Sequence, residues 1–195
     1  MENRNLGSRQ VRCRAGEFRS VEEDGKRYIE GLFAVFNSKY EIAPGLSESV
    51  APGAFDETIN DDIRCLADHD TRLVLGRTSA NTFEVAVVSR GLWGRVLINP
   101  DDQEAVNVLA RVDRGDINQA SFGFDILEEE TEFREDGSVH WTIKKVKLYE
   151  CSIVAFPAYQ QTSLEAREKD YANIKKRQVE AWQTELRNKL QKGAH

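Results

Sequence analysis

Cysteine and histidine are scarce in this 195-residue chain, three of each, and the scarcity removes whole classes of chemistry. Cys13, Cys65 and Cys151 are odd in number and widely spaced, so neither a disulfide framework nor a paired zinc-ligand motif is supported, and reduced thiols are expected. With His195 at the chain terminus, histidine-dependent chemistry has two realistic candidates, His69 and His140. No apolar run approaches the length needed to cross a bilayer, and MENRNLGSRQVRCRAG lacks the apolar centre of a signal peptide, so an intracellular protein without a membrane partner is expected. A basic excess is missing too: the formal charge of −6 argues against a nucleic-acid partner, because neutralising phosphates requires clustered Lys and Arg. There is no GxSxG elbow, phosphate-binding glycine loop or zinc-helix motif, so the common hydrolase and nucleotide folds gain no support and no cofactor or metal is expected.

What is present suffices for one sizeable core, with 40% hydrophobic residues. Residues 1–16 are polar and arginine-rich without an apolar period and read as a flexible arm, with order beginning near Phe18. Tyr28 to Phe36 reads as a strand followed by the turn formers Asn37 and Ser38. Pro44, Gly45, Pro52 and Gly53 mark a long loop from Glu41 to Gly53, after which AFDETI is suited to a short helix. Ile63 to Ala67 and Leu73 to Leu75 suggest two short strands around a tight polar turn that carries His69. TFEVAVV and GLWGRVLI suggest a hairpin through Ser89, Arg90 and Gly91. From Asp101 to Arg114 the spacing of Ala105, Leu109 and Val112, an acidic first turn and a terminal Gly115 predict a helix. EEETEFREDGS reads as a hairpin connection, and Val139 to Ala155 as one or two strands. Residues 166–195 are expected to be a separate helical extension, in which Tyr171, Ile174, Val179, Trp182, Leu186 and Leu190 would make an apolar stripe suited to packing or to tethering.

The segment NQASFGF, Asn118 to Phe124, is the most informative for chemistry. As a strand it places Phe122, Phe124 and Ile126 on a core face and Ser121, Gly123 and Asp125 on the other. Ser121 would then stand on a rigid element beside a glycine that permits close approach of another backbone. A structural serine fits the same pattern. Serine, histidine and a carboxylate together build a hydrolase, the histidine taking the hydroxyl proton and the carboxylate fixing its tautomer. Ser121, His69 and Glu150 are the candidates. Glu150 lies between Tyr149, Cys151 and Ile153, where burial demands a partner; a neighbouring Lys or Arg would serve as well as a histidine. Asp70 is a second candidate carboxylate. A cysteine nucleophile, Cys65 or Cys151 with His69 or His140, and a metal set of Cys65, His69 and Asp70 use suitable residue types, but the cysteines sit in apolar contexts and no fourth ligand is signalled.

Several blocks in order, GLFAVFN at Gly31, PGAFDETI at Pro52, LADHDTRLVLGRT at Leu66, NQASFGF and LYECSIVAFPAY at Leu148, resemble the prohead maturation serine proteases of tailed bacteriophages, a family similar in fold to the herpesvirus assemblins. The resemblance covers about residues 18 to 165. It implies an α+β fold with a mostly antiparallel β-barrel-like core and surrounding helices, and a protease domain over residues 17–165. It implies Ser121 as nucleophile, His69 as general base and Glu150 as third member, with His140 kept in view because assemblins use a second histidine. The implied substrates are the scaffold region of the major capsid protein and the enzyme itself, inside the immature prohead in the host cytoplasm. The C-terminal helix would be the packaging element. A noncatalytic scaffold or capsid-associated protein with the same fold is the alternative.

Overall fold

The polar groups of two long apolar-rich strands dictate most of the architecture, because every buried backbone N–H and C=O requires a partner. The computed structural model describes residues 17–156, the backbone of residues 10–15, and isolated positions from 171 to 183. The C-terminal helix expected over 166–195 lies outside the described residues except for those isolated positions. The chain divides into two compact units after Ala158, and the first carries everything that follows.

Strands β1 (Gln10–Ala15), β4 (Tyr40–Ala43), β5 (Leu46–Val50), β6 (Arg64–Ala67), β7 (Asp70–Arg77), β10 (Gln119–Phe133) and β11 (Val139–Val154) form the larger sheet. Strands β2 (Arg19–Glu23), β3 (Lys26–Val35), β8 (Phe83–Val88) and β9 (Gly91–Leu97) form the smaller one in the order β2-β3-β9-β8. The larger sheet is mixed. One edge of β11 pairs antiparallel with β10 along its length. Its other edge is shared: β5 pairs in parallel with Val139–Ile143 and β6 in parallel with Glu150–Ile153. Between them residues 51–58 supply the missing partners, with Ala51 N–H donating to Ile143 O, Val146 N–H to Ala54 O, and Leu148 N–H to Thr58 Oγ1 at 2.9, 3.0 and 3.0 Å.

This branching corrects the barrel expected from the resemblance. Neither sheet closes on itself, since β11 divides its far edge between β5 and β6 and the sheet forks there. Surrounding helices are not found either: within residues 17–156 the one α-helix is α1 (Gln103–Arg114). It lies where local signals set it. Asp102 accepts hydrogen bonds from the Glu104 and Ala105 amides, Glu104 stands in the first turn, Arg111 and Arg114 in the last, and Gly115 at φ 82° closes the C-terminus. Ala105, Val108, Leu109 and Val112 are its buried stripe, and the helix rests against β2, β3 and β7.

Three local readings also change. Gln10–Ala15, expected within the flexible arm, pairs antiparallel with Gln119–Phe124 of β10. The expected loop from Glu41 to Gly53 contains a hairpin, β4 and β5 around Pro44 and Gly45, because β5 finds a partner in β11. AFDETI makes a chain of tight turns instead of a helix, its amide groups bonding three or four residues back while its carbonyl and hydroxyl groups reach β11. The hairpin of β8 and β9 turns at Ser89 and Arg90 as the sequence suggests. Gly91 must be glycine, since a Cβ there would run into the Ala34 carbonyl oxygen.

Aromatic side chains fill the space these elements enclose. Phe33 meets Phe18 and Phe83 edge-on at ring distances of 5.2 and 5.8 Å, and Phe55 lies 6.2 Å from Phe36 and 5.6 Å from Phe122. Phe122 stacks on Phe124 at 4.7 Å. Phe55 is fully buried and anchors the turn segment to the core beneath β10. Phe55→Ala is therefore expected to cost about 3–5 kcal/mol, in the range for truncating a buried aromatic, seen as a lower urea midpoint at unchanged slope.

Candidate active site

Strand alternation and one hairpin assemble the site. The β6–β7 hairpin turns in two residues, Asp68 and His69, between the register partners Ala67 and Asp70. Both turn residues have positive φ, 48° and 61°, the left-handed pair that suits a tight hairpin to strand twist. A left-handed backbone is uncommon outside glycine, and here neighbouring bonds hold it: Asp68 N–H donates to Ile153 O at 3.0 Å, and Ala155 N–H donates to Asp68 Oδ1 at 2.8 Å. The tip is thus tied to the end of β11, and the His69 ring lies against that strand.

Glu150 meets it there. His69 Nδ1 and Glu150 Oε1 are 2.8 Å apart, the histidine side chain partly exposed and the glutamate 1% exposed. A carboxylate this deep requires hydrogen-bonded partners. The second one is Ser152, whose Oγ donates to Glu150 Oε2 at 2.5 Å. Both glutamate oxygens are thereby oriented. An ionised Glu150 makes Nδ1 of His69 the donor, and in the neutral ring the lone pair is then on Nε2.

Ser121 enters through strand pairing. In the β10–β11 register Ser121 is opposite Ser152 and Gly123 opposite Glu150, while on the other edge of β11 Ser152 is opposite Leu66, three residues before His69. The sequence expectation for β10 holds on one face: Phe122, Phe124 and Ile126 are all core. On the other face Ser121 is 0% exposed. Facing away from the aromatic core is thus not facing solvent, and alternation alone does not bring the serine to the surface.

The other candidates lie elsewhere or are engaged. Asp70 faces Arg72, whose guanidinium and backbone amide bond it and hold its carboxyl down to about 2. His140 stands ten residues before Glu150, about 33 Å back along the same strand at ~3.3 Å per residue. Its Nδ1 and Nε2 are each 2.9 Å from a serine hydroxyl, Ser47 and Ser49, and burial pushes its pKa below the ordinary value. That makes it a bridge between β11 and β5. Cys65, His69 and Asp70 form no metal-ligating cluster among the described residues. Ser152 is the residue that sequence reasoning missed. Its signal was available, a second polar side chain two residues after Glu150 on the same face of an apolar strand.

Cys65 and Cys151 are register partners in β6 and β11. Burial, reinforced by the negative charge of Glu150, drives both thiols well above the usual range, which removes the thiolate a cysteine nucleophile needs. Iodoacetamide near neutral pH is expected to leave both unmodified in the folded protein and to label both in urea, as read by peptide mass mapping. Labelling of either in the folded enzyme with parallel loss of activity would reinstate the cysteine reading.

Comparison with known proteins places the chain in a family. Residues 15–177 match the family model described as caudovirus prohead serine protease. The prohead protease of Enterobacteria phage HK97 is 26% identical over 164 residues, a span of 82% of this chain and 68% of the relative. Among solved structures, the capsid assembly protease of bacteriophage T4 aligns over 75% of this chain and 96% of its own at 11% identity, with a TM-score of 0.46. The chain belongs to the caudovirus prohead serine protease family, and it is a serine protease of phage capsid assembly.

Proposed function

We propose that the chain is a serine endopeptidase that cleaves the scaffold region of the major capsid protein, and itself, within the assembling prohead, with Ser121 as nucleophile, His69 as general base and Glu150 as the carboxylate that orients the base. The observation that carries this reading is the 2.8 Å contact between His69 Nδ1 and Glu150 Oε1, made one strand away from Ser121. A buried carboxylate on Nδ1 leaves Nε2 as the nitrogen able to accept a proton, which a serine hydroxyl requires to become nucleophilic.

The reaction follows from these roles. Ser121 Oγ attacks the peptide carbonyl carbon while its proton passes to His69 Nε2, giving a tetrahedral oxyanion. As the C–N bond breaks, Nε2 returns the proton to the departing amine and an acyl-enzyme remains. Water then attacks the ester with Nε2 again as proton acceptor, and the Ser121 hydroxyl is regenerated. Throughout, Glu150 stays ionised and stabilises the imidazolium that forms twice. The match to prohead proteases supports the capsid protein as substrate, and supports an enzyme over the noncatalytic scaffold considered from sequence.

Coexpression with the capsid protein tests the assignment: Ser121→Ala is expected to abolish capsid processing, a loss of about 10⁴-fold or more, while retaining the fold. Continued processing would remove Ser121 from the mechanism. The rate is also expected to rise with pH as His69 loses its proton, because only neutral imidazole can accept the serine proton. A flat profile between about pH 5 and 8 would count against His69 as the base.

A further inference from the structure

Ser152 has no part in the proton transfers just described, yet it touches the group on which they depend. It is 0% exposed, and its Oγ donates to Glu150 Oε2 at 2.5 Å while Glu150 Oε1 faces His69. Its place is fixed from three directions. Alternation along β11 puts it on the same face as Glu150, two residues away; β10 sets it opposite Ser121; and β6 sets it opposite Leu66, on the strand that leads to His69. We propose that Ser152 is a positioning residue for the reaction, acting through Glu150: its hydroxyl holds carboxylate oxygen Oε2 so that Oε1 meets His69 Nδ1. This rests on the reading of His69, Ser121 and Glu150 as the reacting set.

The physical reason is the geometry of a glutamate. Three rotatable bonds, the last of which turns the carboxylate, leave its plane free unless something fixes it. A single contact to the imidazole fixes one oxygen and leaves rotation about that contact; a second contact to the other oxygen removes it. In a buried site, a hydrogen bond to an ionised acceptor is also stronger than one between neutral groups. The hydroxyl therefore does two things: it helps to set the carboxylate plane, and it draws part of the carboxylate's negative charge toward its own O–H.

Both effects are measurable. Ser152→Ala is expected to lower kcat about 10- to 100-fold, the scale for losing a hydrogen bond to a charged group, with KM little changed because Ser152 meets no substrate in this scheme. The acid limb of the pH profile should move to higher pH, since a carboxylate deprived of its donor is more basic and binds the protonated imidazole more tightly. Ser152→Thr, which keeps the hydroxyl, should restore both. A purely structural serine would lower the melting temperature without moving the acid limb. If Ser152→Ala fails to fold, Ser152→Cys, nearly isosteric and a weak donor, replaces it with the same readouts.

Glu150→Gln, measured alongside, separates the two levels of the argument. Loss of activity in Glu150→Gln together with wild-type kcat and pH profile in the Ser152 variant would overturn the role of Ser152 alone. Full activity in Glu150→Gln would overturn the triad reading itself. Loss in both, with the shifted limb and threonine rescue, supports the proposal.

Discussion

Strand β11 must find hydrogen-bond partners along both edges for sixteen residues, and the rest of the larger sheet is arranged around that requirement. One edge is met by a single neighbour, β10. The other is met in three pieces, β5, the turns of residues 51–58, and β6, each arriving from a different part of the chain. Because β5 and β6 run parallel to β11, neither can be joined to it by a short hairpin. The chain leaves β5, folds back against the strand it has just paired with, and re-enters as β6. That detour brings the β6–β7 hairpin to the end of β11 where Glu150 and Ser152 lie, so the position of His69 is a consequence of how one strand's backbone is satisfied.

The buried carboxylate is the costly part of this arrangement, and its partners come from the same geometry. Glu150 and Ser152 share a face by alternation; His69 reaches them from a turn held on both sides by bonds to Ile153 and Ala155. Opposite Glu150 on β10 stands Gly123, which brings no side chain into the space beside the carboxylate. Phe122 and Phe124 meanwhile commit the alternate positions of β10 to the aromatic core through Phe55. Core and site thus occupy the two faces of one strand, and each fixes the other's register, because a shift of one residue would exchange them.

Legibility in the sequence follows the range of the interactions. Helix α1 was readable because Asp102, Glu104, Arg114 and Gly115 act within a turn of themselves, and the β8–β9 hairpin because both partners lie within fifteen residues. His69 was readable as a turn residue for the same reason. Strands β1 and β5 were not: Gln10–Ala15 is charged and Leu46–Val50 is enclosed by turn formers, and both pair with strands more than ninety residues distant. The open, forked sheet has no local signature either, so the barrel was carried by resemblance and failed on the parallel pairings. Glu150 announced itself as a charge among apolar neighbours, whereas Ser152, uncharged and small, drew no notice, although it bonds one of that carboxylate's two oxygens.

The His69–Glu150 contact also has a meaning in time. The two residues stand 81 positions apart, with the carboxylate close to the C-terminal end of the first compact unit, and β11 is the strand to which β5, β6 and β10 all attach. During synthesis a chain that has emerged as far as β10 already holds the serine and the histidine but has nothing to align them. Only when β11 arrives does the sheet acquire its central strand and the imidazole its carboxylate, in one event. On the proposed roles of Ser121, His69 and Glu150, the reacting set is therefore incomplete until β11 has been made.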